Sequence, residues 1–497
     1  MATPTPRLSP PDLIFSPFPS PFALLHPSPA TAMAAACGSA PVGEGRACAP
    51  SGKRRASAPS LQGSAPLAVL NGKVNMYELT GELGKGWRRI GCGCKKAYGC
   101  GDLGQEVVES LRLYMHFGDY PVLTSSLAIR MSDESVRSIE AELLLVATRK
   151  NKPPGRDVKA AGTIQASDER LIVIMLVFHT EYFTDLVYYL VFDDIDASLS
   201  MIKYLPDDHK AACTLAPAFN RISDVGGDYE LVLHARCISN EGVLCMCTPE
   251  SRANPSTGDM DPWKFKGLRF PEEVEEPFSA DLVFTFKGKA FWADFSQGCL
   301  MYCDLHTCGS VVNFVSIKLP PECKLDLDAI SDDEPVNMIR TMGCVGDSIW
   351  LVCIHRCYGK CADDYVTIWS LSLAKRQWKQ EVRKSAKMIW GLASFKKAGL
   401  PRVILDYPVL TADGALCLVL PDPRLEDPSD EFGPVVQRIC CIDVRRWEVL
   451  WHGCVHDYDT TSPVILPSNF QRLRVPAKWT TKHLAASGKV VIPYCFI

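Results

Sequence analysis

Residues able to do chemistry stand in a few short groups. "CIHRCYGKC" offers Cys353, His355, Cys357 and Cys361. Thiolate and imidazole ligands at such spacing suit zinc, and in an extended strand Cys353, His355 and Cys357 share one face. "GCGCKKAYGCG" gathers Cys92, Cys94 and Cys100, but C-x-C spacing is not that of paired structural zinc ligands. "WHGCVH" alternates His452, Cys454 and His456 in the same way. "FWADFSQGCLMYCDL" sets Asp294 and Asp304 ten residues apart, as paired catalytic carboxylates or as turn residues. "GELGKGW" has only two residues between its first glycines and no Ser or Thr after the lysine, so it is not a phosphate loop. There is no G-x-S-x-G elbow, H-E-x-x-H helix or dinucleotide fingerprint. The four residues Cys353, His355, Cys357 and Cys361 are therefore the best metal candidates, zinc being the metal they would suit, while no cofactor is expected.

The elements that must position these groups read as β-structure. From about residue 165, a turn precedes an apolar strand, then come a loop, a second strand, a short turn and an aromatic-rich third strand. The turns fall at Ser167, Gly226, Lys287, Gly346 and Ala412, in steps of 59, 61, 59 and 66 residues. Second strands include "LVYYLVFD", "CLMYCDL", "YVTIWSL" and "RICCIDV". Third strands include "LSMIKYLP", "WKFKGLRF", "RQWKQEV" and "RRWEVLW". Small sheets repeated at this interval cannot bury both faces alone, which predicts an all-β, propeller-like array; a β-sandwich is the competing arrangement. Asp304 then corresponds to Asp193 and Asp443 in other copies. A carboxylate recurring at one place in each repeat suits a turn, where it accepts backbone N–H groups, better than catalysis.

Residues 1–70 hold 13 of the 36 prolines and only Asp12 and Glu44 as acids. Such a composition buries too little to offset its ordering entropy, so a disordered extension is expected. Its scarcity of acids also resembles a transit peptide. Residues 71–160 read as a mixed segment. There "GQEVVESLRLYMHF" suits a short helix and "SVRSIEAELLLVATR" suits either helix or strand. The β-rich domain is expected over 161–475, and 476–497 as a final strand or tail.

The chain has 53 basic and 57 acidic residues, which gives no electrostatic case for a nucleic-acid or membrane partner. Its 22 cysteines sit largely inside apolar runs such as "GALCLVL", as reduced, buried small hydrophobes do. A cytoplasmic or nuclear setting follows, or a plastid or mitochondrion if the extension acts as an address. The most apolar stretch, "LIVIMLVFHTEYFTDLVYYLVF", is broken by His179, Glu181 and Asp185. Two strands joined by a polar turn are expected there, not a membrane span.

"FWADFSQGCLMYCDL" also resembles the W-x-D-L-x-x-G-[IL]-L-x-C-D stretch of a grass-expanded plant family known as domain of unknown function 1618. "SIKLPPECKL", "YVTIWSLSLAKRQWKQE" and "RICCIDVRRWEV" resemble its later motifs. The resemblance is good over about 281–455 and looser from 165. Ala293 and Phe295 replace the family's usual Val and Leu, and Glu322 stands where Gly is frequent. It implies a β-rich, propeller-like fold and no particular activity. The function expected is a non-enzymatic module binding a protein or peptide partner. The alternative is a hydrolase or transferase with its site in a central channel. The oligomeric state is open.

Overall fold

The computed structural model describes residues 68–470, apart from 119–121, 150–157, 181–184, 223–228, 238–240, 250–261, 275–277, 326–334, 358–359, 422–435, 457–462, 467–469 and residues 169, 207 and 213. The expected extension over 1–67 and the tail over 476–497 lie outside it. Ala68–Leu70, which sequence composition assigns to the extension, is a buried strand.

Six sheets form a six-bladed β-propeller. Blade 1 is the meander Lys159–Ser167, Leu171–His179, Asp185–Asp193 and Ser198–Lys203. Blade 2 comprises Ala218–Arg221, Tyr229–Cys237, Gly242–Cys247 and Trp263–Arg269. Blade 3 runs through Leu282–Phe286, Lys289–Asp294, Cys299–Asp304 and Val315–Lys318. Blade 4 holds Arg340–Val345, Ser348–His355, Tyr365–Ser372 and Gln377–Ser385. Blade 5 holds Asp406–Leu410, Ala415–Pro421, Val436–Asp443 and Glu448–His456. Blade 6 is assembled from distant pieces, in the order Val464–Leu466, Ala68–Leu70, Thr124–Arg130, Arg112–His116 and Trp87–Arg89. Here Ala68–Leu70 pairs antiparallel with Val464–Leu466 and parallel with Thr124–Arg130, so the two ends of the described chain share one sheet.

The period-two alternation of the strands explains why one sheet needs two neighbours. In blade 3, Phe291, Ala293, Leu300 and Tyr302 pack into one core with blade 4 residues such as Ile349 and Leu351. Ala290, Trp292, Met301 and Cys303 lie on the other face and pack with Val232, Leu244 and Met246 of blade 2. Both faces are apolar because both are covered. The cysteines follow the same logic: all eighteen among the described residues are free, and ten are buried. The apolar stretch from Leu171 forms two antiparallel strands with Leu171 opposite Asp193.

Tryptophans in or just before the outer strands join successive blades. The Trp263 indole donates to the Lys203 carbonyl at 2.9 Å, and the Trp378 indole to the Lys318 carbonyl at 3.1 Å. At the next junction the Lys384 ammonium lies 4.6 Å from the Trp447 ring centroid. The aromatic-rich third strands of the sequence repeat are these outer strands, and their tryptophans tie one blade to the previous one.

The mixed segment resolves into short strands and two helices, Gly101–Ser110 and Asp133–Arg149. In the second helix Ser135, Ile139, Leu143 and Ala147 are buried at four-residue spacing, which settles the helix-or-strand ambiguity. In the first, helix ends at Ser110 and "RLYMH" becomes a strand, because Leu113 and Met115 alternate inward. Among the described residues no helix is long and apolar enough to cross a membrane.

Candidate functional site

The inner strands meet at one axial end, where each leads into the hairpin to its blade's second strand. The Arg221 guanidinium of blade 2 pairs with Asp168 of blade 1 at 3.2 Å. Thr285 of blade 3 donates its hydroxyl to the Phe219 carbonyl of blade 2. The Cys344 thiol of blade 4 lies 3.3 Å from the Thr285 carbonyl. Lys287 pairs with Asp347 at 2.9 Å, and the Gly346 N–H donates to the Ala412 carbonyl of blade 5 at 3.4 Å. Lys287 adopts a left-handed φ of 50° ahead of Gly288, at φ 70°. The "KGK" turn needs that conformation to close a two-residue hairpin.

Cys344 and Asp168 belong to opposite blades yet interact. Burial, and then the Asp168 charge, push the Cys344 thiol up to about 11. A thiol so held stays protonated at neutral pH and is a poor nucleophile. Asp168 is engaged with Arg221. The mouth is thus rimmed by paired charges, with Ile222 exposed beside Arg221.

The two aspartates of the quoted stretch act on the backbone. Asp294, 1% exposed, accepts the Gln297 N–H at 2.8 Å and the Ser296 hydroxyl at 2.6 Å through Oδ1, and the Ser279 N–H at 3.1 Å through Oδ2. Asp304 accepts the His306 N–H at 3.0 Å, as Asp193 accepts that of Ile195 at 2.7 Å and Asp443 that of Arg445 at 2.8 Å. Each carboxylate closes its own hairpin. The hydrogen bond from Lys289 holds Asp304 below the usual carboxylate range. Asp281 is exposed as a residue, but its carboxyl group accepts the Phe295 N–H at 2.8 Å. Desolvation and then Asp294 push it up to about 6.

The four metal candidates surround a hairpin of blade 4. Cys353 is fully buried, and its thiol and burial together raise that of Cys323. The His355 ring stacks on Tyr365 at 4.5 Å and its Nε2 lies 2.9 Å from the Thr367 hydroxyl. Burial, Arg340 and Arg383 lower His355 to about 4. The Cys357 N–H donates to Asp364 at 2.8 Å, and its thiol to the Asp363 carbonyl at 3.2 Å. Cys361 is exposed in the turn. A zinc ion on all four would require Cys353 to leave the core. Cys92 and Cys100 donate to nearby backbone carbonyls, while Cys94 is exposed on an outer strand. Cys454 is buried in blade 5, and His452 is lowered by burial and Arg438. Among the described residues no three His, Cys, Asp or Glu side chains could together hold a metal ion.

Sequence reasoning passed over Arg221, Thr285 and Cys344. Their signal was positional: each stands within a few residues of one of the repeated turns, at the end of an inner strand.

The fold defines the chain as a six-bladed β-propeller. Residues 292–417, from the second strand of blade 3 to that of blade 5, match the family model described as "Protein of unknown function (DUF1618)". No curated protein matches the chain. Among solved structures, similarity is found to a Bacteroides ovatus GH43B from a xyloglucan locus, at 13% identity and TM-score 0.28, covering 62% of this chain and 56% of that one. This chain thus spans little more than half of that protein. The fission-yeast SCAP WD40 domain matches at 10% identity and TM-score 0.29, covering 71% of each chain. AofleA from Arthrobotrys oligospora matches at 9% identity and TM-score 0.27, covering 80% of this chain and 96% of that one. At such scores these similarities bear on neither activity nor ligand.

Proposed function

We propose that the chain is a non-enzymatic module that binds a protein or peptide partner at the axial mouth. The carrying observation is the rim itself: an exposed Ile222 next to Arg221, which pairs with Asp168, on an end that also carries the Lys287–Asp347 pair. An apolar anchor within a charged border is the anatomy of a binding surface. What favours this over hydrolysis or group transfer is the state of the candidate groups. Cys344 is held protonated, and the recurring aspartates are engaged by their own turns. Selection of a displayed random-peptide library on the full chain tests the reading. Enriched peptides should lose about 10-fold or more in affinity to Ile222→Asp or Lys287→Glu, with Tm unchanged. Peptides that bind both variants as well as the parent chain would refute it.

A further inference from the structure

The propeller extends its own blades with borrowed strands. Cys94–Tyr98 runs parallel along Ser198–Lys203, the outer strand of blade 1. Val311–Asn313 runs parallel along Trp263–Arg269, the outer strand of blade 2. On blade 5, Val122 forms a parallel bridge to Cys454, and the Leu123 N–H donates to the Cys454 carbonyl at 2.7 Å. Blade 4 has no such addition among the described residues, and its sheet ends at Gln377–Ser385. That strand is nine residues long, against four for the outer strand of blade 3 and three for that of blade 6.

The backbone of this edge is available. The Ala386 N–H donates to the Asp364 carbonyl at 2.7 Å, and Thr367 stands opposite Arg383. Alternation of the antiparallel ladder then turns the N–H and C=O of Arg383 outward, while the carbonyl of Ser385, the N-cap of the helix Ala386–Gly391, turns into that helix. The edge is also strongly basic. Lys375, Arg376, Lys379, Arg383, Lys384 and Lys387 face a single acid within the run, Glu381, in a chain of net charge −4. Charged side chains also keep a bare edge from pairing with its own kind. That protection needs no particular sign, whereas the excess here is nearly all positive.

We propose that Gln377–Ser385 takes up an acidic, extended peptide of a partner protein as a parallel fifth strand. Main-chain hydrogen bonds to the open edge supply affinity, and the cations select the sequence. A peptide fits better than a nucleic acid. Glu381 is paired with Lys379 at 2.9 Å, and a phosphodiester offers no matching ladder of donors and acceptors. This rests on the peptide-binding reading but uses a lateral surface, so the two can fail separately.

The test is fluorescence anisotropy of the full chain with three labelled probes: an acetylated nonapeptide alternating Glu and Val, the same peptide with every Val replaced by Pro, and a single-stranded DNA nonamer. The Glu–Val peptide should bind, with the proline peptide about 10-fold or more weaker because each Pro removes an N–H donor and fixes φ away from the strand value. Arg383→Pro, which removes an outward N–H, should weaken binding by about 10-fold, and Arg383→Gln by only about 2- to 3-fold. If Arg383→Pro does not fold, the exposed pair Lys379→Glu and Lys387→Glu should abolish binding with Tm unchanged. Ile222→Asp should leave it intact. Equal binding of the two peptides, tighter binding of the DNA, insensitivity to the double charge reversal, loss in Ile222→Asp, or no binding of the Glu–Val peptide would each overturn the proposal.

Discussion

Blade 4 and blade 6 solve one problem in two ways. Blade 4 is a single run from Arg340 to Ser385, folded as three successive hairpins. Blade 6 takes its five strands from both ends of the described chain and from the intervening N-terminal segment. A contiguous blade forms by local pairing, with small loop-closure costs. The composite blade can form only when residues nearly four hundred positions apart come together, and it closes the ring. Blade 4 should therefore carry local order, and blade 6 the cooperativity of the whole.

This contrast can be broken at the seam. Leu70 and Leu466 are both fully buried in blade 6. Leu466→Asp buries an unpaired charge there and should cost about 4–5 kcal/mol or more, enough to uncouple the closing sheet. Denaturant unfolding would then show two transitions; a single one with an unchanged midpoint would remove the special role given to blade 6.

A smaller effect is expected between contiguous blades. Arg356 of the blade 4 hairpin loop reaches Asp406 at the start of blade 5, donates to the Leu405 carbonyl at 2.8 Å, and lies 3.5 Å from Asp364. Both aspartates are 2% exposed. Asp406→Ala should cost about 2–3 kcal/mol, because Arg356 loses one of its two buried carboxylates and keeps Asp364. Since the break lies between complete blades, unfolding should stay a single transition with a lower midpoint, which denaturant titration reads directly.

The smallest expected effect depends on pH. His234 of blade 2 is 2% exposed and packs edge-on against Phe270 at 5.1 Å. Neither ring nitrogen has a hydrogen-bond partner among the described residues. Burial, and then Arg236, lower it to about 4, from an ordinary value of 6.5. The unfolded chain therefore takes up the proton first. Stability is full above pH 6.5 and falls as pH drops toward 4, by at most about 3 kcal/mol from this residue. His234→Phe should flatten that part of the stability profile; an unaltered profile would show that His234 is not the group responsible.

The difference between the blades also explains what the sequence disclosed. The turns at Ser167, Lys287, Gly346 and Ala412 all lead from the first strand of a blade to the second, which is why their spacing is regular. Asp193, Asp304 and Asp443 were readable as scaffold because each recurs at the end of the second strand of the sequence repeat, which is the third strand of its blade. Ala68–Leu70 and Val464–Leu466 were not readable. Three residues are too few to show a period, and the pairing that makes them strands lies at the other end of the chain. The mouth was legible only in part. Lys287 and Asp347 sit in visible turns, but the pairing of Asp168 with Arg221 and its approach to Cys344 depend on the ring.

Closure of that ring is tested most directly by hydrogen exchange of the full chain, followed by fragment mass spectrometry. Segments containing Ala68–Leu70 and Val464–Leu466 should be protected as strongly as Lys289–Asp294 and Ser348–His355. Exchange at the rate of an unstructured peptide in the first two, with the latter two still protected, would contradict a propeller closed by its own ends.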